Sequence, residues 1–113
     1  MKTLEDEMSL LRQIVDFSPY LSTESRHFLE KQIIQLSDSI KIGEVSPSMG
    51  EKLIVELDER AVLSEVHFLM AKISHLNPSS PRLELLEGIS HQLDKKELSP
   101  SETRKEIQRI MRY

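Results

Sequence analysis

Cysteine is absent from this 113-residue chain, tryptophan is absent too, and glycine occurs only three times. Without thiols the fold has no disulfides, no zinc–thiolate cluster and no cysteine nucleophile, and its folding does not depend on redox conditions. A cytoplasmic location is the corresponding expectation. No segment approaches the roughly 18 uninterrupted apolar residues of a membrane span. The amino terminus, MKTLEDEMSLL, carries charges where a secretory signal needs an apolar core, so neither export by that route nor a membrane partner is expected. The scarcity of glycine and of aromatics (4%) weighs against a sheet and against a phosphate-cradling loop. A net charge of −4 argues against general affinity for nucleic acid.

What is present reads as helix. Thr3 opens a capping-box pattern, and Leu4, Met8, Leu11 and Val15 follow on one helical face, which predicts a helix over residues 3–17. Ser18-Pro19 ends it, and Ser22 is the natural N-cap of a second helix with the stripe Leu29, Ile33, Leu36 and Ile40. Gly43 marks its stop. From Pro47 to Leu76 runs the longest helical stretch, apolar over more than half its circumference and hence expected to touch several neighbours. Asn77-Pro78-Ser79-Ser80-Pro81 breaks the chain at a corner or hinge, and a fourth and a terminal helix follow. The expectation is all-α: about five helices in a small bundle built from helical hairpins with Ser-Pro capped turns, a long central helix at about 47–76, and one domain over residues 1–113 with one core.

A near-repeat punctuates this pattern. GEVSPS, from Gly43, returns as KELSPS, from Lys96, at an offset of 53 residues, and the same offset aligns Ile33 with Leu86, Leu36 with Ile89, Ile40 with Leu93, Val45 with Leu98, Ile54 with Ile107 and Leu57 with Ile110. In each copy serine caps a helix whose first position is proline, where the missing N–H costs nothing. Glu102 completes a capping box with Ser99. Lys96 stands where the first copy has Gly43, so the second turn is expected to close differently.

Reactive constellations are not evident. His67 and His75 lie two turns apart, too far to share one metal ion directly, and Glu24 with His27 is only half of a paired Glu-x-x-His arrangement. There is no G-x-S-x-G elbow, and the serines sit in capping contexts. No metal, no cofactor and no enzymatic activity are expected.

Surfaces remain. The stripe Leu4, Met8, Leu11 and Val15 needs covering, which suggests another protein or a second copy of the chain as partner, with Arg109 and Arg112 as a charged rim. The expected function is an interaction module: an adaptor, chaperone, inhibitor or small regulator. The alternative is a nucleic-acid-binding regulator that uses Arg104, Lys105, Arg109 and Arg112 of the terminal segment 99–113 on phosphates. It is less favoured, because cations at a helix C-terminus also complement the helix dipole.

Overall fold

The computed structural model describes residues 3–112, which form five helices and, among the described residues, no strand. They are α1 (Leu4–Phe17), α2 (Thr23–Lys41), α3 (Pro47–Leu76), α4 (Pro81–Asp94) and α5 (Pro100–Arg112). The all-α expectation and the long central helix are met. No helix among the described residues is long and apolar enough to cross a membrane.

Local chemistry sets the helix ends. The Asp6 amide donates to Thr3 Oγ1 at 3.1 Å while the Thr3 amide donates to the Asp6 carboxylate at 3.2 Å. Ser22 accepts from the Ser25 amide, Ser80 from the Arg82 amide and Ser46 from the Met49 amide. At the start of α5 the Ser99 amide donates to Glu102 Oε1 and the Glu102 amide returns a bond to Ser99 Oγ, closing the expected capping box. Each cap satisfies backbone donors that the first helical turn leaves without partners.

The two Ser-Pro turns close in the same way, which corrects the expectation drawn from Lys96. After α2, the Ile42 amide donates to Asp38 O, Gly43 to Ile40 O, and both Glu44 and Val45 to Ser39 O. After α4, Lys95 donates to His91 O, Lys96 to Leu93 O, and both Glu97 and Leu98 to Gln92 O. Every partner moves by 53 residues. Lys96 adopts φ +64°, the left-handed conformation that Gly43 takes at φ +81°. The hydrogen bonds that collect the orphaned carbonyls of α4 outweigh a steric penalty of roughly 1 kcal/mol at one lysine.

The chain groups into two compact units, Met1–Ala61 and Val62–Tyr113. In the first, Met8, Leu11 and Val15 of α1, Leu29, Ile33 and Leu36 of α2, and Ile54, Leu57 and Ala61 of α3 form one buried cluster, joined by Leu21. Gly50 lets these helices approach: a Cβ there would lie 3.0 Å from Ile40 Cδ1 and 3.1 Å from Leu4 Cδ2. In the second unit the buried apolar residues are Val62, Val66 and Leu69 of α3, Leu86, Ile89 and Leu93 of α4, and Ile107 and Ile110 of α5. Thr103 occupies the position equivalent to Gly50, fully buried, and its hydroxyl donates to Ser99 O at 2.8 Å.

The division falls within α3 because its buried stripe changes phase. Ile54, Leu57 and Ala61 keep the spacing of one face, and Val62, Val66 and Leu69 keep that of another, which begins at the very next residue. Adjacent residues on a helix point about 100° apart. The breadth of apolar surface on this segment therefore has a specific origin: the N-terminal half lines one core and the C-terminal half lines a second.

Candidate functional site

The α1 stripe chosen from the sequence as a contact surface is already used. Met8, Leu11 and Val15 are buried in the first unit's cluster, and Leu4 is half-buried against it. The stripe is amphipathic as expected, but most of it packs into the chain's own core, with Leu4 the most accessible of the four. Of the basic set on α5, Lys105, Arg109 and Arg112 are exposed, whereas the Arg104 side chain is mostly covered, its Nε 3.3 Å from Glu65 Oε1. Arg109 pairs with Glu106 one turn earlier on the same helix. The structure thus separates Arg104, turned inward to a buried carboxylate, from three cations at the surface.

Leu4 and Met8 line a recess of about 370 Å³ between α1 and α2, but a larger one is formed by other residues. In the second unit, α4 and α5 flank an open groove of about 1030 Å³. Its apolar floor is Ile89 and Ile110, Leu85 stands on the α4 wall, and Arg82, Glu84, Glu106 and Arg109 stand at its rim. Leu85 is 55% exposed, an unusual position for a leucine that has core partners one position on. Gly88 lies on the same wall, and a Cβ added there would meet nothing within 4 Å. A glycine in a helix interior costs roughly 0.5–1 kcal/mol relative to alanine. Here no neighbour inside the unit requires it. What it leaves is a strip of bare helical backbone facing the groove.

The first unit holds the matching groove between α2 and α3, about 280 Å³ in volume. The offset of 53 carries its lining onto that of the larger one: Gln32 onto Leu85, Gln35 onto Gly88, Leu36 onto Ile89, Glu56 onto Arg109 and Leu57 onto Ile110. The floors agree, but the walls do not. Two glutamines are replaced by a leucine and a glycine, and a rim carboxylate becomes a guanidinium. The same offset carries Ser39 onto Gln92 and Leu53 onto Glu106, so the second-unit groove is larger, has a leucine and a glycine on its α4 wall, and is edged by the Glu106–Arg109 pair where the first has Leu53 and Glu56.

Electrostatics outside the groove are modest. Glu30 on α2 has its pKa raised above the ordinary carboxylate value, chiefly by a side-chain hydrogen bond with Asp16 of α1, with burial and the nearby Asp16 charge acting the same way. Glu102 is lowered, because the Ser99 backbone and side chain hydrogen-bond its carboxylate. All four histidines are exposed; His91 lies 4.0 Å from Glu87 one turn earlier, and among the described residues no three potential ligands converge on a metal position.

One half-buried feature was not anticipated from the sequence. The guanidinium of Arg26 donates to Val15 O at 2.7 Å, to Asp16 O, to Ser18 O at 2.8 Å and, more weakly, to Leu21 O at 3.4 Å. Residue 19 is proline, so the helical donor that Val15 O would otherwise use does not exist. The Glu24 to His27 spacing drew attention to the flanking residues of ESRH; the arginine within it is the one that shapes the structure. Pro19 was the available clue. Comparison of the chain with family models, with curated proteins and with solved structures gave no match.

Proposed function

We propose that this protein is a non-enzymatic, cytoplasmic protein–protein interaction module whose α4/α5 groove accepts an amphipathic helix. The observation that carries the reading is the combination of exposed Leu85 with an interior glycine, Gly88, that no intra-unit neighbour requires. A helix laid into a groove needs an apolar floor for its anchors and small residues where backbones approach; it needs polar groups only at the rim. Ile89 and Ile110 supply the floor, Gly88 the approach, and Arg109 with Glu106 the rim.

The nucleic-acid alternative draws less support. Arg104 is committed to Glu65, and Arg109 has a carboxylate partner, which leaves a small exposed cationic cluster on a chain of net charge −4. The interaction reading is tested by selecting amphipathic helical peptides against the immobilised full chain, with Gly88→Trp to fill the groove and Gln35→Trp at the equivalent place in the first unit as control. Capture lost with Gly88→Trp and kept with Gln35→Trp is the expected result. Equal capture by both variants, or selection of no peptide at all, would reject the groove.

A further inference from the structure

We infer that the helix received by the α4/α5 groove is α1 of a second copy of this chain, docked head to tail. The inference rests on the helix-accepting reading above and names its partner. α1 devotes one stripe to the core of its own unit, yet it carries a second. Leu10 and Phe17 are exposed and Ile14 between them is half-buried. Their spacing of four and three places them on one helical face. Phe17 is 82% exposed, the form an aromatic anchor takes before it finds a pocket.

Length and charge both fit. Leu10 and Phe17 lie seven positions apart, as do Leu85 and Gln92 along the α4 wall of the groove, about 10 Å in each case at the helical rise per residue. The first turn of α1 holds Glu5, Asp6 and Glu7 and its last turn no base, whereas the last turn of α5 holds the exposed Arg112 and Arg109, the latter shared with Glu106. Laid antiparallel to α5, α1 brings its acidic end to that basic end and opposes the two helix dipoles. Leu10 then lies beside Leu85, Ile14 crosses the bare backbone at Gly88, and Phe17 reaches Gln92.

The whole units carry opposite net charge. Residues 1–61 carry seven basic and twelve acidic side chains, and residues 62–113 carry eight and seven. The first unit's own groove is a poor competitor, since Glu56 replaces Arg109 and Gln35 fills the place of Gly88. Each copy uses α1 toward one neighbour and its groove toward another, so the contact is heterologous and propagates.

The test is the mass of the full chain in solution, measured by sedimentation from about 10 μM to about 1 mM. The wild-type chain is expected to rise past twice the chain mass as concentration increases, and to fall back as salt screens the charged ends. Gly88→Trp and Phe17→Asp, both at solvent-facing positions, should each lose association at least tenfold while keeping wild-type helicity. An equimolar mixture of the two has one intact α1 face and one intact groove, and should form a species of twice the chain mass and no larger. A wild-type chain that stays monomeric across the range overturns the inference, as does a mixture that stays monomeric. Either result combined with Gly88-dependent peptide capture leaves the groove standing and removes only the self-docking. Loss of peptide capture as well removes both.

Discussion

Replacing Arg26 by methionine keeps most of the aliphatic stem and removes the donors, and it should destabilise the first unit by about 2–3 kcal/mol. The figure follows from the backbone groups involved. The last four carbonyls of α1 lack intrahelical partners, and Val15 O and Asp16 O are two of them. Residue 19 offers no N–H, and the Tyr20 amide that would serve Asp16 is instead donated to Ser18 Oγ at 3.2 Å. Arg26 reaches both carbonyls, and Ser18 O as well. A hydrogen bond from a charged donor is worth about 1.5–3 kcal/mol when made alone, but three bonds from one half-buried guanidinium do not add. Since α1 has no base in its last turn, Arg26 is also the cation at that helix end, a further 0.3–1 kcal/mol or so. Urea unfolding followed by circular dichroism measures the sum. Arg26→Lys, which keeps the charge and loses the fork, should retain about half of it. A midpoint for Arg26→Met that corresponds to less than about 0.5 kcal/mol, with the slope unchanged, would refute the reasoning.

Three other outcomes are expected. Glu65→Ala removes the carboxylate 3.3 Å from Arg104 Nε in a mostly covered site and should cost about 3–5 kcal/mol, while the double replacement Glu65→Leu with Arg104→Leu should recover most of that loss, measured as a double-mutant cycle in urea. Gly88→Ala meets open space and should stabilise α4 by about 0.5–1 kcal/mol, whereas Gly50→Leu drives a side chain into Ile40 and Leu4 and should cost about 1–3 kcal/mol; thermal unfolding separates the two signs. Glu30 should titrate above the ordinary carboxylate value in a carbon-detected NMR titration, and Asp16→Asn should bring it down. Because its folded pKa is raised, the native state binds the extra proton in that window, so its contribution to stability is present at low pH and declines as pH rises through the folded value.

Helix boundaries were legible because they are written in local chemistry. Thr3, Ser22, Ser80 and Ser99 each cap from the residue that capping rules select, and Pro47 and Pro100 each open a helix. The 53-residue echo was legible in Ile33, Leu36, Ile54 and their partners. It understated the likeness, since a steric preference at Lys96 suggested a different turn and the carbonyls of α4 imposed the same one. The stripe of α1 shows the general difficulty. Periodicity reports that Met8, Leu11 and Val15 share a face, but it does not say which neighbour takes that face; Leu10 and Phe17, on the other side, attracted no notice. The groove was out of reach for the same reason. Gly88 has meaning only once α5 lies alongside α4, a pairing that no local rule contains. Arg26 likewise acts on carbonyls up to eleven positions away.

The change of phase between Ala61 and Val62 implies that the molecule has one clean place to be cut, the middle of its longest rod. A fragment ending at residue 61 would keep every member of the first hydrophobic cluster and one starting at 62 every member of the second, whereas a cut at the 46–47 or 80–81 corner would take α3 away from one of them. A protease nick in the middle of that rod should therefore leave two pieces that resist further digestion, whereas nicks at the corners flanking it should cascade to short peptides.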